Sequence, residues 1–166
     1  MVTNLKKHGL LGALAAALLV AALAITSTAL ADEPTVIANT ENTSYHFNLG
    51  GSYSSTAATG GRFKEDSTSL FVWPTSVNFD MCRIYGEGAY YYSGPWADGS
   101  SLTIGGFGIV RQGDENVPLS LMTYINEWGY SYARLTAWQC SQSGWMSGVW
   151  SPDSTRVYTY CNNGYH

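Results

Sequence analysis

The sequence has little positive charge, few histidines and none of the short motifs that usually mark an active site. Its 166 residues include 8 lysines and arginines against 12 aspartates and glutamates, and only 3 histidines. This acidic balance argues against a surface that binds nucleic-acid phosphates or an anionic membrane. The sequence also has no Gly-x-Ser-x-Gly elbow, no Cys-x-x-Cys pair, no His-x-x-x-His pair and no EF-hand loop. We therefore expect no cofactor, no metal and no nucleic-acid partner.

Cysteine is scarce as well, with Cys82, Cys140 and Cys161 as its only copies. Outside the cell, thiols tend to pair, and three cysteines allow at most one internal disulfide. We favour Cys140–Cys161, which would close the C-terminal segment and stabilise the fold by about 3 kcal/mol in the chain-entropy model. The other two pairings stay open, as does a set of three buried thiols that act as small hydrophobic residues.

Long apolar runs are missing everywhere except near the N-terminus. Lys6 and Lys7 precede the unbroken apolar run Leu10–Ile25, and the small-x-small sequence Ala29–Ala31 follows. This pattern is typical of a secretory signal peptide. The run is shorter than the roughly 20 residues that a membrane-spanning helix needs. We therefore expect residues 1–31 to be cleaved and the rest to be secreted, extracellular and free of the membrane.

The remaining sequence is aromatic and lacks helical periodicity. All 5 Phe, 6 Trp and 12 Tyr lie after residue 31, where 6 basic residues face all 12 acidic ones. Alternating apolar and polar segments such as Tyr45–Leu49 are separated by turn signals about every 8 to 12 residues, which is typical of an all-β domain. We expect a flexible leader over residues 32–44. A single antiparallel β-sandwich should follow over residues 45–166, as a jelly roll or an immunoglobulin-like fold.

Three local features carry narrower expectations. Pro74 should end the strand that begins at Ser69, because proline cannot donate to a sheet ladder. The charged residues of 62–66 should form a solvated surface patch. The segment 151–154, Ser-Pro-Asp-Ser, should form a turn, since proline presets φ and the next two side chains can bond their own backbone.

Three stretches have a motif-like character. Residues 61–72 read Gly-Arg-Phe-Lys-Glu-Asp-Ser-Thr-Ser-Leu-Phe-Val, residues 126–135 read Asn-Glu-Trp-Gly-Tyr-Ser-Tyr-Ala-Arg-Leu, and residues 148–154 read Gly-Val-Trp-Ser-Pro-Asp-Ser. They resemble a family of small secreted proteins of Gram-positive bacteria whose domain has no known function. The resemblance extends over residues 45–160. It implies export and a small β domain, and it assigns no activity and no catalytic residues.

The segment 130–139 is the best candidate for a binding surface, because on a strand its side chains would divide between two faces. One face would carry Ser131, Ala133, Leu135, Ala137 and Gln139, and the other Tyr130, Tyr132, Arg134, Thr136 and Trp138. If the small face packs inward, the other is an aromatic and cationic platform for sugars or a hydrophobic partner. The alternative is that the aromatic side chains form the core. Trp96, in a loop after three consecutive tyrosines, is a further candidate ligand-binding residue.

These features together favour a secreted, non-enzymatic binding protein. Its candidate ligand is a cell-wall glycan or another cell-surface molecule. A bacteriocin-like antagonistic protein is one alternative. A small glycoside hydrolase is another, and it would require Glu127 and Asp153 to face one cleft as a carboxylate pair.

Overall fold

A computed structural model describes residues 39–50, 54–139, 142–156, 158, 160–162 and 164–165. Within these ranges the chain forms strands β1 (Thr43–Leu49), β2 (Thr56–Ala58), β3 (Arg62–Phe63), β4 (Leu70–Val77), β5 (Met81–Ala89), β6 (Gly108–Arg111), β7 (Leu119–Leu121), β8 (Tyr132–Gln139), β9 (Gly144–Ser151), β10 (Tyr160–Cys161) and β11 (Gly164–Tyr165), and one short helix, α1 (Gly99–Leu102).

The strands form two sheets. Sheet A has the order β1-β9-β4-β7-β10-β11, and sheet B has the order β2-β8-β5-β6, with β3 also paired to β8. The pairing is antiparallel in both sheets except between β7 and β10, which run parallel. The predicted all-β class with antiparallel sheets is confirmed. The sequence does not give the strand order of either sheet.

The two sheets face each other across one hydrophobic core. Sheet A contributes Leu70, Val72, Leu121, Met146 and Trp150, and sheet B contributes Cys82, Ile84, Ala133, Leu135 and Ala137. The sheets approach closely at Gly86, where an added Cβ would lie 2.9 Å from the methyl carbon of Thr123 and 3.2 Å from a methyl carbon of Leu70. A fully buried leucine or isoleucine contributes about 1.5–3 kcal/mol relative to exposure, so this shared core is the main source of stability.

Strand β4 does not end at Pro74. It continues to Val77, and its pairing with β9 changes register between Pro74 and Ser76. The expectation that proline ends this strand is therefore wrong. A bulge accommodates a residue that cannot donate to the ladder, because one strand carries an extra residue there and the missing donor is tolerated.

The described part of the predicted leader is tied to the domain. The amide N–H of Asn39 donates to Asp153 at 2.9 Å, and the guanidinium of Arg62 donates to Asn39 Oδ1 at 2.9 Å. Strand β1 starts at Thr43 and pairs with β9 from there to Leu49. The predicted signal peptide and the rest of the leader lie outside the described residues.

The predicted Cys140–Cys161 disulfide also lies outside the residues that the structure describes, because Cys140 and the side chain of Cys161 are not among them. Cys82 lies in the core, where its Sγ is 3.3 Å from the carbonyl of Arg83 and 3.6 Å from that of Trp138.

Among the described residues, no helix has the length and apolar character required to span a membrane.

Candidate binding site

Strand β8 divides its side chains between the core and the outside of sheet B. Ala133, Leu135 and Ala137 are fully buried, whereas Tyr132 and Trp138 are half-buried on the opposite face. The small side chains fill the space between the sheets, so the large rings are left outside. The alternative arrangement, with the aromatic side chains of this strand forming the core, does not occur for Tyr132 and Trp138.

Arg134 is fixed on this outer face by an ion pair and a ring. It lies directly across from Glu87 on β5, and its Nε donates to Glu87 Oε2. The Thr136 hydroxyl donates to the same oxygen at 3.0 Å. The guanidinium carbon of Arg134 stands 4.6 Å from the centre of the Trp96 ring, which is within the range of a cation–π contact. The predicted candidates Trp96 and Arg134 are therefore in contact.

A second arginine further along the sheet also lies against aromatic rings. Arg83 on β5 is the cross-strand partner of Trp138, and its guanidinium carbon lies 5.2 Å from that ring centre. Phe107 approaches the same guanidinium at 4.5 Å. Two arginines are thus held in fixed orientations against aromatic rings, which lowers the conformational entropy lost when either binds a ligand.

The end of the sheet near the start of β8 carries two exposed rings beside Tyr132. Phe63 and Tyr92 flank Tyr132, with ring centres 5.5 Å and 6.2 Å from it in edge-on geometry. Phe63 is 46% exposed and Tyr92 is 64% exposed. Hereafter the aromatic face denotes the outer residues of sheet B and its loop: Phe63, Arg83, Glu87, Tyr92, Trp96, Tyr132, Arg134 and Trp138.

Tyr130 does not share this face. It precedes β8, and its backbone N–H bonds the carbonyl of Ile125 at 3.0 Å, which closes the preceding turn. Its ring packs on the core side, 2.9 Å from where a Cβ would stand on Gly88. The two-residue alternation expected from Tyr130 onward therefore begins only at Tyr132.

The loop that carries Trp96 is anchored directly after the tryptophan, at Ala97 and Asp98. The amide of Ala97 donates to the carbonyl of Gly88 at 2.8 Å, and the Asp98 carboxylate caps α1 by accepting from the Ser100 amide at 3.1 Å. Hydrogen bonds from the Ser100 hydroxyl and amide lower the pKa of Asp98 below its usual value. The indole of Trp96 is therefore presented on an ordered loop.

Tyr85 lies on β5 between the two arginines, and it is half-buried. An added Cβ on Gly99 would stand 2.0 Å from its ring, so α1 approaches the sheet through this glycine. Burial raises the pKa of Tyr85, and the nearby carboxylates of Glu87 and Asp98 raise it further. The phenol therefore stays neutral and can serve as a hydrogen-bond donor.

The motif-like stretches 61–72 and 148–154 meet at a buried ion pair. Lys64 is 1% exposed, and its Nζ donates to Asp153 Oδ1 at 2.9 Å and to the carbonyls of Thr68 and Pro152 at 2.6 and 2.8 Å. Asp153 Oδ2 accepts from the amides of Asn39 and Glu65. All three ammonium donors are used, so the expectation of a solvated patch is wrong for Lys64. This pair joins chain segments and is closed to a ligand.

Asp66 extends the polar cluster around Lys64. Burial alone would raise the pKa of Asp66, but hydrogen bonds from the Thr68 hydroxyl and amide, together with the charge of Lys64, lower it below its usual value. The carboxylate therefore stays ionised at neutral pH and orders the turn ahead of β4.

The geometry gives no support to Glu127 and Asp153 as a glycosidase pair. Asp153 is buried against Lys64, whereas Glu127 is exposed on the turn that precedes β8. Asp153 does not line the cleft that Glu127 borders. Within the part of the chain that the structure describes, no three His, Cys, Asp or Glu side chains cluster as a metal site would require.

Sequence reasoning missed four members of the aromatic face, namely Phe63, Arg83, Glu87 and Tyr92, and it also missed Phe107, which packs against Arg83. The alternation Arg83, Tyr85, Glu87 along one strand was a usable signal for an outward-facing row. Their contacts with β8 depend on cross-strand register, which the sequence does not contain.

A family model described as "Protein of unknown function (DUF2712)" matches residues 28–154. The match covers most of the chain, so the chain belongs to this family. The predicted resemblance to a family whose domain has no known function is therefore confirmed, and all three motif-like stretches fall inside the matched range. No curated protein and no solved structure matches the chain.

Proposed function

We propose that this member of a family of unknown function is a secreted, non-enzymatic binding protein whose aromatic face recognises a cell-wall glycan. The observation that carries the proposal is the pairing of exposed rings with immobilised arginines on one sheet face. Phe63 and Tyr92 are exposed beside Tyr132, and Arg134 is fixed by Glu87 and Trp96.

The chemistry of this face suits a sugar chain. Flat rings pack against the C–H faces of pyranose rings, since both surfaces are apolar and rigid. Arg134 has five N–H donors, of which the pairing with Glu87 accounts for one, so others remain for ligand hydroxyls. Because the rings and the two arginines are already held in place, they lose little conformational freedom when a ligand binds.

Charge narrows the ligand class. Residues 32–166 carry 6 basic and 12 acidic side chains, and Arg134 is already neutralised by Glu87. A net negative protein repels a polyanion at long range. A neutral glycan backbone therefore fits this face better than a phosphate-rich wall polymer. Export, which the N-terminal sequence predicts, would bring the protein to the cell-wall glycan.

Binding of residues 32–166 to purified peptidoglycan and to intact Gram-positive cells tests the proposal. The variant Phe63→Ala/Tyr92→Ala removes two exposed rings and should fold normally. We expect its affinity to fall by about tenfold or more, because central aromatic contacts in binding sites commonly contribute over 1 kcal/mol.

A matched control is Trp73→Ala/Tyr124→Ala, which removes two rings that are also exposed but lie outside the aromatic face. It should bind like the wild type. Failure of the wild type to bind either target would refute glycan recognition. Equal loss in both double variants would show that exposed rings in general, rather than this face, are responsible.

A further inference from the structure

Lys64 and Asp153 bring an amine and a carboxyl group into contact in a site that is closed to water. Both side chains are fully buried, and Lys64 Nζ lies 2.9 Å from Asp153 Oδ1. An amine and a carboxyl group are the two reactants of amide formation. Burial removes the water that would solvate their charges and would hydrolyse the product. The two residues are 89 positions apart in the chain, so a bond between them would link distant segments.

Two backbone carbonyls set the direction of the Lys64 amine. Nζ donates to the carbonyl oxygens of Thr68 and Pro152 at 2.6 and 2.8 Å, and it donates its remaining hydrogen to Asp153 Oδ1. If that hydrogen moves to the carboxylate as a proton, the nitrogen keeps a lone pair that points the same way. The lone pair is then aimed at the carboxyl group whose carbon, Cγ, a nucleophile must attack.

The other carboxyl oxygen of Asp153 faces two backbone donors. The amides of Asn39 and Glu65 donate to Oδ2 at 2.9 and 3.1 Å. When a nucleophile attacks a carboxyl carbon, one oxygen acquires negative charge, and two N–H groups aimed at that oxygen stabilise the charge. Oδ2 is therefore the oxygen that would remain in an amide. Oδ1, which lies beside the amine, is the oxygen that would leave.

A third carboxyl group stands next to the pair. The Asp66 side chain lies within hydrogen-bond reach of the Asp153 carboxyl group, and the amide of Thr68 holds it by donating to Asp66 Oδ1 at 2.8 Å. Asp66 is half-buried, whereas Asp153 is fully buried. A carboxylate in this position can take a proton from an attacking nitrogen and pass it to a departing oxygen.

We infer that Lys64 and Asp153 condense to an intramolecular isopeptide bond, with Asp66 as the proton relay. The ammonium first gives one proton to Asp153 Oδ1, which leaves a neutral amine and a neutral acid. Nζ then attacks Cγ, so the N–C bond forms and negative charge develops on Oδ2. Asp66 takes one proton from the nitrogen and delivers it to Oδ1. The Cγ–Oδ1 bond breaks, the carbonyl re-forms at Oδ2, and one water molecule leaves.

The reaction balances without any other reactant. An ammonium and a carboxylate, with no net charge between them, become a neutral amide and one water molecule, and Asp66 returns to its starting state. The ion pair described above is the state before condensation. Unlike the ion pair, the amide would hold residues 64 and 153 together in the unfolded chain. This inference uses none of the residues of the aromatic face and does not depend on glycan recognition.

Mass spectrometry of the purified full-length chain, after unfolding and reduction, tests the inference. Reduction opens any disulfide, so a chain that contains the isopeptide bond should be lighter than its sequence by the mass of one water molecule. Trypsin cannot cleave after a lysine whose side chain is an amide. Digestion should therefore release a branched peptide in which Lys64 is joined to Asp153.

Two variants serve as controls. Lys64→Met/Asp153→Leu removes both charges together, so it should fold, and it should have the full mass of its sequence. Asp66→Asn keeps an oxygen that can accept from the Thr68 amide, but its amide group cannot relay a proton. When both chains are followed by mass after a pulse of cell-free synthesis, Asp66→Asn should form the bond about a hundredfold more slowly than the wild type, as expected for the loss of a proton-transfer group.

Three results would count against the inference. A wild-type chain with the full mass of its sequence would overturn it, and the pair would then be purely ionic. Loss of water in Lys64→Met/Asp153→Leu as well would place the dehydration elsewhere in the chain. Equal rates of bond formation in Asp66→Asn and the wild type would refute the role assigned to Asp66.

Discussion

At the scale of single residues, Lys64 is the most informative side chain in the structure. A buried ammonium costs several kcal/mol to desolvate, and it is tolerated only when its donors are satisfied and its charge is balanced. Here two carbonyls and Asp153 accept all three N–H groups. The pair therefore fixes the start of β4 against the end of β9, and the motif-like character of both stretches has a structural explanation.

Replacing Lys64 by methionine should lower the free energy of unfolding by about 3–5 kcal/mol, because it leaves Asp153 as an uncompensated buried charge. The double variant Lys64→Met/Asp153→Leu should recover part of that loss, since it removes both charges. Urea unfolding of the single and double variants measures the difference.

The control for this prediction is Glu41→Gln, which removes an exposed carboxylate 3.9 Å from Arg62. An exposed ion pair contributes at most about 1 kcal/mol, so this variant should unfold almost like the wild type. If Lys64→Met were as mild as Glu41→Gln, the buried pair would not be the structural link described above.

The sequence could not have indicated that Lys64 is buried. Its neighbours Arg62, Glu65 and Asp66 make the segment look like an ordinary charged surface, and lysine is rarely buried unless it is paired. Its partner is 89 positions away in the chain. Only the packing of β9 beside β4 brings the two residues together.

At the scale of elements, β8 shows what a strand pattern can and cannot predict. The alternation of small and large side chains correctly assigned Ala133, Leu135 and Ala137 to one face, because neighbouring side chains on a strand point in opposite directions. It failed at Tyr130, where a turn precedes the strand. It also could not give the cross-strand partners Arg83 and Glu87, because register depends on both strands.

The contact between Trp96 and Gly61 offers a test at this scale. An added Cβ on Gly61 would lie 2.5 Å from the indole and 2.9 Å from the carbonyl of Tyr92. Gly61→Ala should therefore displace Trp96 from Arg134 and lower the free energy of unfolding by about 1–3 kcal/mol, the usual cost of overpacking. Thermal unfolding and glycan binding should both be measured, and both should weaken.

Gly60→Ala is the matched control from the next position. The nearest atom to its added Cβ would be the Tyr92 hydroxyl at 3.9 Å, which is an ordinary contact. It should leave unfolding and binding unchanged. Equal effects of the two substitutions would mean that glycine's backbone freedom matters here and that the indole contact does not.

At the scale of the whole molecule, the distribution of large rings follows from how sheet B meets sheet A. The inner face of sheet B is built from small and aliphatic side chains, and Gly86 allows sheet A to approach. Large aromatic side chains on β8 therefore have no room inside, and Tyr132 and Trp138 lie outside with Arg134 and Arg83 beside them. The fold class was predictable from alternation and turn spacing, but this division of rings between inside and outside was not.

The most direct test of the central claim is an NMR titration of residues 32–166 with soluble peptidoglycan fragments, followed through the indole N–H signals. The chain has six tryptophans, which sample different parts of the molecule. We predict that Trp96 and Trp138 shift together and saturably, whereas Trp73, Trp128 and the buried Trp150 do not. Saturable shifts at Trp73 or Trp128 with no change at Trp96 and Trp138 would contradict the account, as would the absence of any shift.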